Sequence, residues 1–196
     1  ELVLGLAEGT TRESFREAVL SGRPEPFLHR LVVAEGDHLC VPAGTLHAIM
    51  DGLILAEIQQ NSNTTYRVFD WNRVGADGRP RPLHLDKALD VINFGAPEPG
   101  VCPTELISEE AGCRRTLLCR NRYFTTERVD LAPGARFDGH CDGFSLEIWG
   151  VRDGRATVAG VRLQAVRFTL LPAVLGGFAV TAAGGATLLR SYVERD

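Results

Sequence analysis

The sequence predicts a mostly β protein with little helix, arranged as a sandwich or jelly-roll barrel, and three observations predict it. Past the middle, the chain is a succession of short strand-like runs: "RRTLLCRNRYFTTERVDL", "FSLEIWGVRDGRATVAG", "VRLQAVRFTLLPA" and "GFAVTAAGGATLLRSYVE". Turn signals recur between or within them at "APGA", "RDGR" and "AAGG", and closely spaced short strands favour a sandwich or barrel over βαβ units. Helix-like periodicity is confined to two short segments of the first half. A weak internal repeat also sets "GDHLCVPAGTLHAI" over "VRFTLLPAVLGGFA", with Pro42-Ala43 on Pro172-Ala173. Each copy is an apolar strand ending in Pro-Ala, a small turn and a second apolar strand, and a strand proline belongs at an edge or an end, where its missing N–H harms no ladder. The two halves read as copies of one unit, with Gly177 standing where the first copy has His47.

The elements follow in order. "ELVLGL" reads as a strand and residues 10–22, "TTRESFREAVLSG", as a short helix. Thr10 and Glu13 have capping-box spacing, and Gly22 can close the C-terminus. "HRLVVAEGDHLCVPAGTLHAI" gives strand, turn, strand, turn, strand; "DGLILAEIQQ" adds another strand after an Asp-Gly turn. "RPLHLDKALDVI" fits a one- or two-turn helix. Residues 93–105, "NFGAPEPGVCPTE", are rich in Gly and Pro and read as a linker, so the expected domains are 1–95 and 104–196. His140, in "DGHCDG", is expected in a turn.

Composition removes several classes of function. With 196 residues, 44% hydrophobic and 23% charged, the chain has the make-up of a soluble globular protein with length for a real core. Its net charge of −4 offers no basic face for nucleic acid or an anionic membrane. No apolar run reaches the roughly 18 residues of a membrane span, and no basic-then-apolar signal opens the chain. Five cysteines, odd in number and without a C-x-x-C pair, disfavour structural zinc and a disulfide framework. They read as reduced thiols of a cytoplasmic protein.

The chemistry gathers in residues 36–71. His47 follows a tight Pro-Ala-Gly turn that would aim the next strand at a barrel mouth. An imidazole there is either a metal ligand or a histidine satisfied by a backbone carbonyl. Glu57 ends a hydrophobic strand, as a surface residue or as a pocket carboxylate with a ligand or acid/base role. The run "QQNSNTTYR", with Gln59, Asn61, Thr65 and Arg67, is too polar for a core strand and too poor in Gly and Pro for a plain loop. It is a solvated polar strand, or a row of amides, hydroxyls and one guanidinium suited to a carbohydrate or sugar phosphate. Arg67 suits a phosphate or negative charge developing in a transition state.

The combination of P-A-G-T-x-H-A (42–48) with E-x-Q-Q-N-S-x-x-T-Y-R (57–67), continued by "VFDWNR" and "GRPRPLHLDKALDVI", resembles the type I mannose-6-phosphate isomerases of the bacterial class I kind. The similarity is dense to about residue 92 and thins beyond it. The resemblance implies an all-β fold with minor helix, a cupin-like jelly-roll, with the remainder of a first, catalytic barrel in 1–95 and a second, smaller barrel in 104–196, which the repeat's Gly177 in place of a ligand histidine leads us to expect to be metal-free. It implies an aldose-ketose isomerase that interconverts mannose 6-phosphate and fructose 6-phosphate through a metal-stabilised cis-enediol, with zinc as the usual metal. By position, it implies His47 as a metal ligand, Arg67 as the catalytic arginine and Glu57 as a pocket glutamate in acid/base chemistry, with Gln59, Asn61 and Thr65 expected on the substrate. The family's other ligands, a Gln-x-His pair and a glutamate, lie upstream of the part that "ELVLGL" matches, and residues 1–35 do not supply them. The chain therefore reads as the C-terminal portion of a longer enzyme; a non-catalytic cupin-like module that binds sugar phosphate is the alternative.

Overall fold

The computed structural model describes residues 1–62, 64–71, 73–95 and 100–195; residues 96–99 of the expected linker lie outside them. Two compact units divide the chain, Glu1–Cys102 and Pro103–Asp196. Among the described residues no helix is long and apolar enough to cross a membrane.

In the N-terminal unit β1 (Leu2–Leu6) sits between β2 (Leu28–Leu31) and β3 (His47–Ile49), antiparallel to both. Helices α1 (Arg12–Leu20) and α2 (Leu85–Val91) share a small core of Phe15, Val19 and Leu89. Arg12 joins the helices by donating to the Leu89 carbonyl and, at 2.7 Å, to Asp90. The cap of α1 falls one residue later than the spacing of Thr10 and Glu13 predicts. The Thr11 side chain accepts from the Ser14 N–H, and the Ser14 side chain in turn receives the Thr11 N–H. Thr10 is engaged elsewhere, its hydroxyl donating to Ala7 O at 2.6 Å. Gly22, at φ 73°, closes the helix as expected.

Two expected strands do not form here. Residues 38–41 and "DGLILAEIQQ" both lie outside the sheets. Their composition suits a strand, but a strand exists only where a neighbour completes its backbone hydrogen bonds. Both edges of β1 are taken by β2 and β3, and among the described residues none pairs with 53–60. Ile54 is consequently 94% exposed.

The C-terminal unit is wholly β: β4 (Glu105–Glu110), β5 (Cys113–Arg120), β6 (Thr125–Leu131), β7 (Arg136–Cys141), β8 (Glu147–Val158), β9 (Val161–Gln164), β10 (Arg167–Leu171), β11 (Gly176–Thr181) and β12 (Ala186–Tyr192). The strand order is β4-β5-β6-β12-β8-β11-β7, with β9 and β10 also on β8. The first half of β8 lies between β12 and β10, while its second half pairs with β9 and β11. One strand thus passes from one layer to the other, and the sheet curls round a core of Val129, Phe137, Trp149, Val158, Phe178 and Leu188. The fold is the cupin-like jelly-roll the sequence implies.

Three local expectations change. "RDGR" is no hairpin turn: β8 runs through it, bent at Gly154 (φ 80°), where an added Cβ would lie 2.6 Å from Gly185 O. His140 lies in β7, opposite Gly177 of β11, rather than in a turn. Residues 105–110 form β4, at the end of what reads as linker. The internal repeat survives at its turns, where Thr45 N donates to Pro42 O at 3.1 Å and Leu175 N donates to Pro172 O at 3.0 Å.

Candidate functional site

The first repeat's turn delivers His47. Gly44 holds it at φ 86°, in a position where a Cβ would stand 2.6 Å from Val91 O, so only glycine fits. His47 opens β3, exposed, with Nδ1 3.1 Å from Thr45 O. A carbonyl accepts only, so Nδ1 is the nitrogen that donates to Thr45 O. The backbone-carbonyl contact expected of a structural histidine is therefore made.

Glu57, Gln59, Asn61 and Thr65 are exposed along an unpaired stretch. Among the described residues none of them hydrogen-bonds or ion-pairs with His47 or Arg67. Asn63, inside the same motif, lies outside the described residues.

Arg67 is better anchored. Its backbone is clamped by His84, whose N–H donates to Arg67 O at 2.7 Å, while the Arg67 N–H donates to His84 Nδ1 at 3.3 Å. The Tyr66 ring lies 6.2 Å from the His84 ring. Three residues on, the 8%-exposed Asp70 takes a two-point grip from Arg81, with Nε at 2.7 Å from Oδ2 and Nη2 on Oδ1. That hydrogen-bonded pair, then the charges of Arg81, Arg67 and Arg73, hold the Asp70 carboxyl below the usual carboxylate range against the opposing effect of burial. From Thr64 to His84 the chain carries four arginines against two aspartates, a local positive excess in a chain of net charge −4. The structure thus ties Arg67 to His84 and Asp70 to Arg81, with the charges of Arg67 and Arg73 also acting on Asp70; among the described residues no hydrogen bond or ion pair links this group to His47 or Glu57.

Sequence reading missed Asp70, Arg81 and His84. The signal available was the arginine-proline alternation of "RPRPLH" facing "YRVFD", which brackets two extended runs across one turn.

Zinc does not fit the residues present. Among the described residues no three of His, Cys, Asp and Glu gather where they could hold a metal ion, and a zinc site takes three protein ligands or more.

No family model matches the sequence. The chain is 32% identical over 182 residues to a probable mannose-6-phosphate isomerase of Bacillus subtilis, a match covering 92% of the chain and 56% of that protein. The mannose-6-phosphate isomerase of Streptococcus mutans is 36% identical over 136 residues, which is 69% of the chain and 42% of that protein. In three dimensions the crystal structure of the mannose 6-phosphate isomerase from Bacillus subtilis matches with a TM-score of 0.83 and 26% identity, over 98% of the chain and 60% of that structure. The chain is thus similar to mannose-6-phosphate isomerases over nearly its whole length. It spans about half the length of the curated family members it matches. The solved isomerase is matched across both units described above, so the likeness is not confined to the "QQNSNTTYR" region.

Proposed function

We propose that this chain is part of an aldose-ketose isomerase acting on mannose 6-phosphate and fructose 6-phosphate through a cis-enediol. The observation that carries the reading is the arginine cluster round Arg67, set in the motif on which the family resemblance rests. Moving a proton between C1 and C2 requires a base and a cation for the enediolate oxygens. Arg67 is permanently charged, half-buried and fixed at its backbone by His84, as an oxyanion stabiliser should be. Glu57 is assigned to proton transfer, and Gln59, Asn61 and Thr65 to hydrogen bonds with the sugar hydroxyls. The family resemblance implies a divalent metal, zinc by default, to which His47 would give one ligand through Nε2. The other donors are not assembled among the described residues.

The test is conversion of mannose 6-phosphate to fructose 6-phosphate by the native polypeptide that carries this sequence, with Arg67→Ala alongside. Turnover should fall by orders of magnitude in the variant while the fold and metal content persist. A loss of only tens of percent would reduce Arg67 to a structural residue. A second reading is a non-catalytic module that binds sugar phosphate through the same exposed polar run. Saturable binding of mannose 6-phosphate without turnover in the native polypeptide would select it.

A further inference from the structure

Beside its apolar core the C-terminal unit buries two carboxylates, Glu127 and Glu147, at 0% and 4% exposure. Arg115 grips Glu127 with Nε at 2.9 Å and Nη2 at 2.7 Å, and the Tyr192 hydroxyl donates to the same carboxylate. Glu147 takes Nε of Arg190 at 2.8 Å, Nη2 at 2.5 Å and the Trp149 indole N–H at 2.8 Å. The Arg190 guanidinium also lies 4.3 Å from the Tyr192 ring centre. Each carboxylate accepts three hydrogen bonds, which lock Arg190 and Tyr192 in place. The remaining nitrogen of Arg190, Nη1, stands 3.7 Å from Glu127, beyond hydrogen-bond length, which leaves its N–H groups to donate elsewhere.

Arg190 and Tyr192 line a cavity of about 340 Å³ whose wall continues through Asp142, Phe144, Glu194 and Arg195. That volume falls at the lower end of the small-molecule range. We infer that this cavity is a second ligand site, lined by residues other than those of the proposed isomerase centre, and that it takes an uncharged, hydroxyl-rich molecule of hexose size.

Charge balance selects the class of ligand. Each guanidinium faces a carboxylate: Arg190 with Glu147, Arg115 with Glu127, Arg195 with Asp142 at 3.0 Å, and Arg120 with Glu194 at 3.0 Å. No guanidinium named here is left without a carboxylate to draw a phosphate, the lining also holds the His140 imidazole, and the described residues gather no donor set for a metal. What remains is an N–H donor on Arg190, the further lone pairs of Asp142, which already accepts from the Phe144 N–H, and of Glu194, which already accepts from Arg120 and Tyr192, and the Phe144 ring, 51% exposed. A sugar needs those features: directional donors and acceptors for its hydroxyls and an apolar face for its C–H side.

The experiment is calorimetric titration of the intact chain with D-mannose, D-glucose and D-fructose, followed in parallel by amide NMR. Inorganic phosphate and mannose 6-phosphate serve as controls. At least one free hexose should bind saturably and shift the amides of residues 142–147 and 190–195, and inorganic phosphate should not. Phe144→Ala and Arg195→Ala, both at the rim, should weaken binding about tenfold or more with no change in thermal midpoint. Arg67→Ala should leave it unchanged, so failure here and failure of the isomerase reading are distinguishable. Three results would overturn the inference: no saturable binding by any of the hexoses, binding indifferent to Phe144→Ala, or inorganic phosphate filling the same site.

Discussion

Two opposing forces act on the carboxyl group of Glu127. Burial favours its neutral form. The hydrogen bonds from Arg115 and Tyr192, with the charges of Arg115 and Arg190, outweigh burial and hold it below the ordinary glutamate range. Its folded pKa being lowered, the stability it contributes is fully present above the unfolded value, about pH 4.3, and is lost as the pH falls through the folded value. Glu127→Gln should destabilise the C-terminal unit by about 2–4 kcal/mol near pH 7, since it leaves Arg115 facing a neutral amide. Urea unfolding of both proteins from about pH 7 to about pH 3 checks this: the gap should close on the acid side. A gap independent of pH would assign the loss to packing. Burial likewise raises the Tyr192 hydroxyl, and its hydrogen bond to Glu127 raises it further, so it stays a donor throughout. None of this pairing was legible in the sequence, because Glu127 meets partners 12 and 65 positions away. The turn that carries His47 was legible because it is local. The same residue-scale reasoning bears on zinc: one exposed imidazole and one exposed carboxylate should bind it more weakly than about 1 μM when it is titrated into the 196-residue chain. Tight stoichiometric binding would mean that a full ligand set lies within these residues.

β8 illustrates why elements read well only where pattern and pairing coincide. Alternation around Trp149 and Val151 marks a half-buried strand, and the structure places both in the core. The Asp-Gly that follows carries the composition of a hairpin turn, but the chain uses its glycine to bend a continuous strand between two layers. Sequence alone does not separate these uses, since both need a positive φ. The structure does, because Gly185 O stands where a Cβ at position 154 would go. Gly154→Ala should therefore cost about 2–3 kcal/mol, combining left-handed strain with a backbone clash. Gly160→Ala is the control: its φ is 85° but open space surrounds it, so it should cost about 1 kcal/mol. Equal losses in chemical denaturation would remove the clash from the account. Strand content was misread in the opposite sense at residues 53–60, where composition is right and a partner is missing.

Across the whole chain the two units differ in how their apolar residues are used. The C-terminal unit buries Val129, Trp149, Val158, Val180 and Leu188 inside a curled sheet whose ladders cross-link nine strands. Among its described residues the N-terminal unit has three strands and two short α-helices and buries Val3, Leu4, Phe15, Val19 and Leu89, while Ile54 and Leu55 face outward. Local opening free energy follows buried contacts and laddered amides, so the two regions should exchange amide hydrogens on separate timescales. In the intact chain the amides of β6, β8 and β12 should be the slowest, opening only with global unfolding of their unit. Those of residues 53–62 have no ladder and should exchange at close to free-peptide rates. The proposed site straddles this contrast: Glu57, Gln59 and Asn61 lie in the fast stretch, while Arg67, tied to His84, should show intermediate protection. Exchange followed by mass spectrometry would resolve these classes peptide by peptide. Protection of 53–62 equal to that of β12 would mean that this segment is paired in solution, and that Glu57 sits on a fixed strand rather than an open one.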